Sequence, residues 1–140
     1  RAGRVAITEL AGYGIEADLV VVPDDPDAIR AAVRGAIDRG SRLVITSGGT
    51  GIGPGDVTVD AVAPLLSYQV PGISEEIRRR GAEHAPVALV SREVAGVIVG
   101  TPSTFVLTAP GSRGGVRDAV AVLGPLAAHI VRQLDGAGHL

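Results

Sequence analysis

Five glycines fall within ten residues in the segment SGGTGIGPGD (47–56): Gly48, Gly49, Gly51, Gly53 and Gly55. Glycine accepts positive φ and lets other groups approach the backbone closely. Successive N–H groups in such a segment can therefore converge on an anion such as a phosphate. A long surface turn has the same composition, and composition alone leaves both readings open. Ser47 and Thr50 add hydroxyls that bond either a ligand or their own turn. Two familiar phosphate loops are excluded. A Walker A loop needs a Lys that is absent between Gly51 and Asp56, and G-x-G-x-x-G started at Gly49 or Gly51 ends on Pro54 or Asp56.

Asp56 is the first ionisable residue after these glycines and suits either a helix N-cap or a cation ligand. A carboxylate beside a phosphate repels it unless a cation lies between. Mg²⁺ held by one or two carboxylates plus phosphate oxygens is the usual solution. Asp24 is the natural second carboxylate, with Asp25 left as a helix cap. The segment PGSRGG (110–115) offers a further set of backbone N–H groups, with Ser112 as a hydroxyl donor or a helix cap and Arg113 as a phosphate partner. The chain has no Cys, which excludes disulfides, thiolate metal sites and a Cys nucleophile. His84, His129 and His139 are too far apart to pair on one helix and read as surface or helix-end residues. With Tyr13, Tyr68 and Phe105 the only aromatics, stacking cannot be the main mode of recognition.

The elements that must position these residues alternate between short runs of Val, Ile and Leu and longer segments of helical period, which predicts α/β class with a mostly parallel sheet covered by helices. Residues 18–22, 42–46 and 104–108 read as buried central strands, and 86–91 with 93–99 as a pair of short ones. Residues 1–10 are helical in character. A helix follows Asp25 as N-cap, with Pro26 at its first position, Ile29, Val33, Ala36 and Ile37 on one face and Gly40 closing it. Further helices are expected over 57–67, from Pro71 to 82, and over 114–134, the last kinked at Gly124-Pro125. In open parallel sheets ligands collect beyond the carboxyl ends of the strands, so the loops at 24–25, 47–56 and 110–115 should share one edge.

At 140 residues and 46% hydrophobic, the chain fits one domain spanning 1–140. A formal charge of -2 with scattered basic residues argues against nucleic acid or an anionic membrane as partner, and favours a small charged ligand. No stretch reads as approaching the length of a bilayer span and no leader pattern opens the chain, so a cytoplasmic protein is expected.

The segment TSGGTGIGPGDVTVDA (46–61) resembles the T-T-G-G-T-G-x-x-x-x-D-V-T-P-[ED]-A signature of the MoaB/Mog group, which includes the G domains of gephyrin and its plant counterpart. PGISE (71–75), LVSR (89–92) and APGSRGGVRD (109–118) extend the likeness in order and spacing. The loop motifs of the CinA-type (G-G-L-G-P-T) and MoeA-type (S-G-G-V-S-x-G-D) relatives fit less well.

The resemblance implies a three-layer αβα sandwich that binds molybdopterin. In Mog-type members this domain transfers AMP from Mg-ATP to the terminal phosphate of molybdopterin and releases pyrophosphate. By this likeness Asp56 and Asp24 match the two functional aspartates, acting through Mg²⁺ and on the phosphate chain. Ser47, Gly48, Gly49, Thr50 and Gly51 cradle the nucleotide phosphates, while Ser91, Pro110, Gly111 and Ser112 hold nucleotide or pterin. It also implies a homo-oligomer, trimer or hexamer, with residues 71–82 or 86–99 at an interface. A first strand with an S-D-R-type loop is expected to precede Arg1. Ser47 and Val59 replace the signature's Thr and Pro, and Gly55 stands where members often carry a basic residue. Molybdopterin adenylyltransferase is the leading expectation. The alternative is a non-catalytic pterin- or nucleotide-binding paralogue acting as an oligomeric module.

Overall fold

A computed structural model describes residues 2–136. Its elements run α1 (Ala2–Ala11), α2 (Pro26–Asp38), β1 (Leu43–Ser47), α3 (Thr58–Val62), β2 (Tyr68–Gln69), α4 (Pro71–His84), β3 (Ala95–Ile98), β4 (Thr104–Ala109), α5 (Arg113–Leu123) and α6 (Ala127–Leu134), with short 3₁₀ turns after α3, α4 and α5. Helix α2 starts as its sequence dictates. The Asp25 side chain accepts from the Ala28 N–H at 2.9 Å, Pro26 follows it, and Ile29 and Val33 face inward. Gly40, at φ +95°, turns the chain toward β1.

The sheet order is β1-β4-β3-β2. β1 pairs with β4 in parallel, whereas β3 is antiparallel to both β4 and β2. The sheet is therefore mixed rather than mostly parallel. The cause lies between Ile98 and Thr104, where the link is too short to carry a crossover and closes a hairpin instead. Alternation along β4 splits the core between two faces. Phe105, Leu107 and Ala109 pack with Ile73 and Ile77 of α4 and Ala119, Val122 and Leu123 of α5, while Val106 points the other way to Ile29, Val33, Ala61 and Val62 of α2 and α3. Helices thus cover both faces.

Two expected strands are not formed. Residues 86–91 lie within and just past a 3₁₀ turn (Pro86–Val90), seated beyond the end of α4 with Ala88 close against Gly81. Residues 18–22 are extended but join no ladder, and Leu19, Val20 and Val21 are exposed. Leu19 leans on Gly3 of α1 and Val22 on the α2 face of the core. These side-chain anchors hold the segment, yet among the described residues no strand pairs with it or with the outer edge of β1. β1 is consequently an edge strand of intermediate burial, and only β4 fits the description of a fully buried central strand.

Arg113–Leu134 corrects the expectation that no stretch approaches the length of a membrane span. It is 22 residues long and apolar enough to pass by length and composition. The 3₁₀ turn at Gly124–Leu126 interrupts it, as the Gly124-Pro125 pair predicts, and Val116, Ala119, Val120, Val122, Leu123 and Ala127 are buried in the protein. The first half, Arg113–Leu123, is a core helix, whereas Ala127–Leu134 buries only Ala127. His84 ends α4 and His129 is exposed on α6, as expected of surface residues, while His139 lies outside the described residues.

Leu107 is fully buried at the centre of the sheet. Leu107→Ala should destabilise the fold by about 2–5 kcal/mol through lost burial and a residual cavity, read as a lower midpoint in urea unfolding; a change under about 0.5 kcal/mol, the size typical of surface substitutions, would mean that the site is not core.

Candidate functional site

Parallel pairing brings β1 and β4 to an end at the same level, with Ser47 opposite Ala109. The segments that follow, 48–56 and 110–112, emerge side by side. The Gly48 N–H donates to the Ala109 carbonyl at 2.9 Å, and the Ser47 hydroxyl reaches the Pro110 carbonyl at 3.4 Å. Gly48 and Gly49 both lie in the left-handed region, at φ +96° and +69°. A Cβ on Gly111 would stand only 3.0 Å from the Gly48 Cα, and one on Gly49 would collide with the Thr58 side chain. The two loops thus meet backbone to backbone, and small residues are what permit it.

The glycine segment is closed, which decides against a loose turn. The Thr58 N–H donates to the Gly49 carbonyl at 3.2 Å, and the Gly53 N–H donates to Asp56 Oδ2 at 3.0 Å. Asp56 therefore folds back over its own loop. It does not cap α3, whose N-cap position is taken by Val57 with no side-chain bond. Oδ1 of Asp56 has no hydrogen-bond partner among the described residues, so one oxygen stays available to a cation.

Arg92, which the residue patterns did not single out, locks this loop from behind. Its backbone N–H donates to the Thr50 carbonyl at 2.6 Å, its Nε to the Gly51 carbonyl at 2.9 Å and its Nη2 to the Asp56 carbonyl at 3.1 Å, while Nη1 reaches Asp60 of α3 at 3.2 Å. The planar guanidinium satisfies carbonyls that the loop cannot pair internally. The sequence signal was its place beside Ser91. Ser91 itself joins the site, with its Oγ 2.9 Å from Thr50 Oγ1. Next to it is a second unanticipated group, Glu93, whose buried carboxyl lies 2.9 Å from Arg78 Nε of α4. Burial pushes the Glu93 carboxyl above the usual range, opposed by Arg78 and the Ser91 hydroxyl.

Other expected residues take quieter places. Ser112 caps α5 by accepting from the Gly115 N–H at 2.9 Å. Gly111 and Arg113 are exposed, and Pro110 is half-buried. Asp25 is the α2 cap, which leaves Asp24 exposed with no hydrogen bond or ion pair among the described residues. The contacts that join the 47–56 and 110–112 segments do not extend to Asp24. No group of three or more His, Asp or Glu residues able to hold a metal forms among the described residues.

Residues 1–129 match the family model described as "Probable molybdopterin binding domain". The chain is 40% identical over 129 residues to a molybdenum cofactor biosynthesis bifunctional protein of Chlorobaculum tepidum, a match that covers 92% of this chain but only 40% of that relative's length. It is 37% identical to molybdenum cofactor biosynthesis protein B of Bacillus subtilis, covering 93% of this chain and 76% of the relative. Among solved structures, a molybdopterin biosynthesis protein from Mycobacterium abscessus superposes with a TM-score of 0.86 at 42% identity, over 96% of this chain and 84% of the other.

Arg92→Ala should leave the fold intact at a cost of about 1–3 kcal/mol, with faster amide exchange confined to residues 48–58. Arg92→Lys should not restore protection, because a single ammonium cannot span the same carbonyls. Unchanged exchange in both variants would show that the loop holds itself.

Proposed function

This chain belongs to the MoaB/Mog family of molybdopterin-binding domains, and from that premise we propose that it binds molybdopterin and adenylylates it with Mg-ATP in a cytoplasmic setting. The observation that carries the reading is the seam where Gly48 meets Gly111, in the same glycine loop that Asp56 closes over Gly51 and Gly53. Such a seam leaves phosphate oxygens room to reach the main chain of the adjoining loops without side chains in the way, although the Gly48 N–H itself is spent on the Ala109 carbonyl. In the proposed step an oxygen of the terminal molybdopterin phosphate attacks the α-phosphorus of ATP, forming the new P–O bond as the bond to pyrophosphate breaks. No covalent nucleophile from the protein is needed, since nucleotidyl transfer rests on positioning and charge neutralisation.

Asp56 and Asp24 are the residues that would hold Mg²⁺, which when bound supplies positive charge beside the phosphate chain. Gly48, Gly49, Thr50 and Gly51 line one side, and Pro110, Gly111 and Ser112 the other. The Ser47 hydroxyl braces the two loops against each other. Ser91 borders the same loop through Thr50. The reading also includes self-association as a trimer or hexamer. Its support is the apolar ridge of Val87, Leu89 and Val90, exposed at 75%, 65% and 49% on the 3₁₀ turn that replaces the expected strand.

Purified protein incubated with Mg-ATP and molybdopterin should yield adenylylated pterin, and Asp56→Ala should lose at least about a hundredfold in turnover while keeping its Tm, with a smaller loss in Asp24→Ala. Tight pterin binding by the wild type without AMP transfer would replace the enzyme with the non-catalytic binding module. In light scattering the wild type should exceed the monomer mass and Leu89→Glu should shift it downward. A wild-type monomer at working concentration would remove self-association from the reading.

A further inference from the structure

Charge is scarce along the seam. The segments 47–56 and 110–115 hold two ionisable side chains between them, Asp56 and Arg113, so Arg113 is the only cation on either loop. Arg92 stands behind the glycine loop, but it is already committed. Its guanidinium makes four hydrogen bonds, to the Gly51 and Asp56 carbonyls and to both oxygens of Asp60, and the Asp60 carboxylate opposes its charge. Arg113 is in the opposite state. Its side chain is exposed and makes no hydrogen bond or ion pair among the described residues.

For the fold alone this is an unfavourable place for a cation. Arg113 opens α5, and the first turn of that helix contains no acidic side chain. The positive end of the helix dipole therefore meets an unpaired guanidinium with nothing to offset it. A bound anion would relieve both. Covalent geometry also keeps Arg113 near the seam. Two trans peptides separate it from Gly111, which limits their Cα separation to about 7.6 Å, and Gly111 is where the two loops touch. A long, flexible arginine stem covers that distance. We propose that Arg113 is a substrate-binding residue whose guanidinium pairs with a phosphate group held along the Gly48–Gly111 seam. Resting on the function proposed above, this brings from the α5 side the positive charge that the glycine loop lacks. A planar guanidinium can meet two phosphate oxygens at once. Two sources carry such a phosphate, the triphosphate of ATP and the terminal phosphate of molybdopterin, and the chemistry of recognition is the same for both.

Calorimetric titration of wild type and variants with Mg-ATP, molybdopterin and inorganic pyrophosphate, each at several salt concentrations, decides it. Arg113→Ala should weaken pyrophosphate and at least one of the two substrates about tenfold, with a shallower dependence of affinity on salt. The substrate affected identifies the source of the phosphate. Arg113→Lys should restore the salt dependence but only part of the affinity, because an ammonium is a point charge without the guanidinium fork. The Tm of Arg113→Ala should hold or rise, since a cation leaves the positive end of α5; a lowered Tm with Lys unable to restore binding would make the arginine structural and overturn the proposal. Affinities of Arg113→Ala within about threefold of wild type for all three ligands would also overturn it. AMP transfer that survives in Arg113→Ala with such unchanged affinities would leave the proposed function standing without this residue. A salt-dependent loss of pyrophosphate binding in a protein that transfers no AMP would do the reverse, and a wild type that binds none of the three would remove both.

Discussion

Parallel pairing of β1 with β4 is the constraint on which the site depends. Antiparallel neighbours would send their exits to opposite ends of the sheet. Here both chains leave at the same end and at the same level, Ser47 beside Ala109, and the Gly48 N–H continues the ladder by one more bond to the Ala109 carbonyl. The depth of β4 fixes this register, because all six of its residues are buried and a one-residue slip would invert its apolar faces. The rigidity of the sheet thereby reaches the loops directly, without a hinge between core and site.

A second support comes from the segment after the 3₁₀ turn. Residues 91–93 bind the glycine loop through Arg92 and α4 through the carbonyls that Arg78 holds. A charged pair in such a place is poor evidence for stability, since desolvating two ions offsets most of their attraction.

The parts of this architecture visible in the residues were those governed by local rules. Asp25 before Pro26 announced the α2 cap, and Gly124-Pro125 announced the break between α5 and α6. The glycine loop and its neighbour at 110–112 were legible for the same reason, as was their common edge. What depended on pairing was not. Residues 18–22 have the composition of a buried strand, but no composition tells whether a partner lies alongside. The hairpin that makes the sheet mixed is a matter of the short 99–103 link. Arg92 was visible only as the end of LVSR (89–92), and its role and that of Glu93 were not legible because they arise from partners at 51, 56 and 78, contacts that only the folded chain reveals.

The count of glycines itself overstated what the loop requires. A Cβ at Gly49 would strike Thr58, one at Gly51 would crowd the Asp56 carboxylate at 2.7 Å, and one at Gly111 would press on Gly48. At Gly55 a Cβ would meet nothing within 4 Å, and Gly55 has no positive φ to justify it. The first three are consequences of close packing, whereas Gly55 is sterically optional. It is also the position where members of the family often carry a basic residue. Its glycine therefore omits a charge without serving the backbone, and under the proposed function phosphate recognition would rest more on main-chain N–H groups and on the cation that Asp56 would hold. A loop built this way relies on geometry more than on net positive charge, which explains why a rigid brace such as Arg92 matters to it.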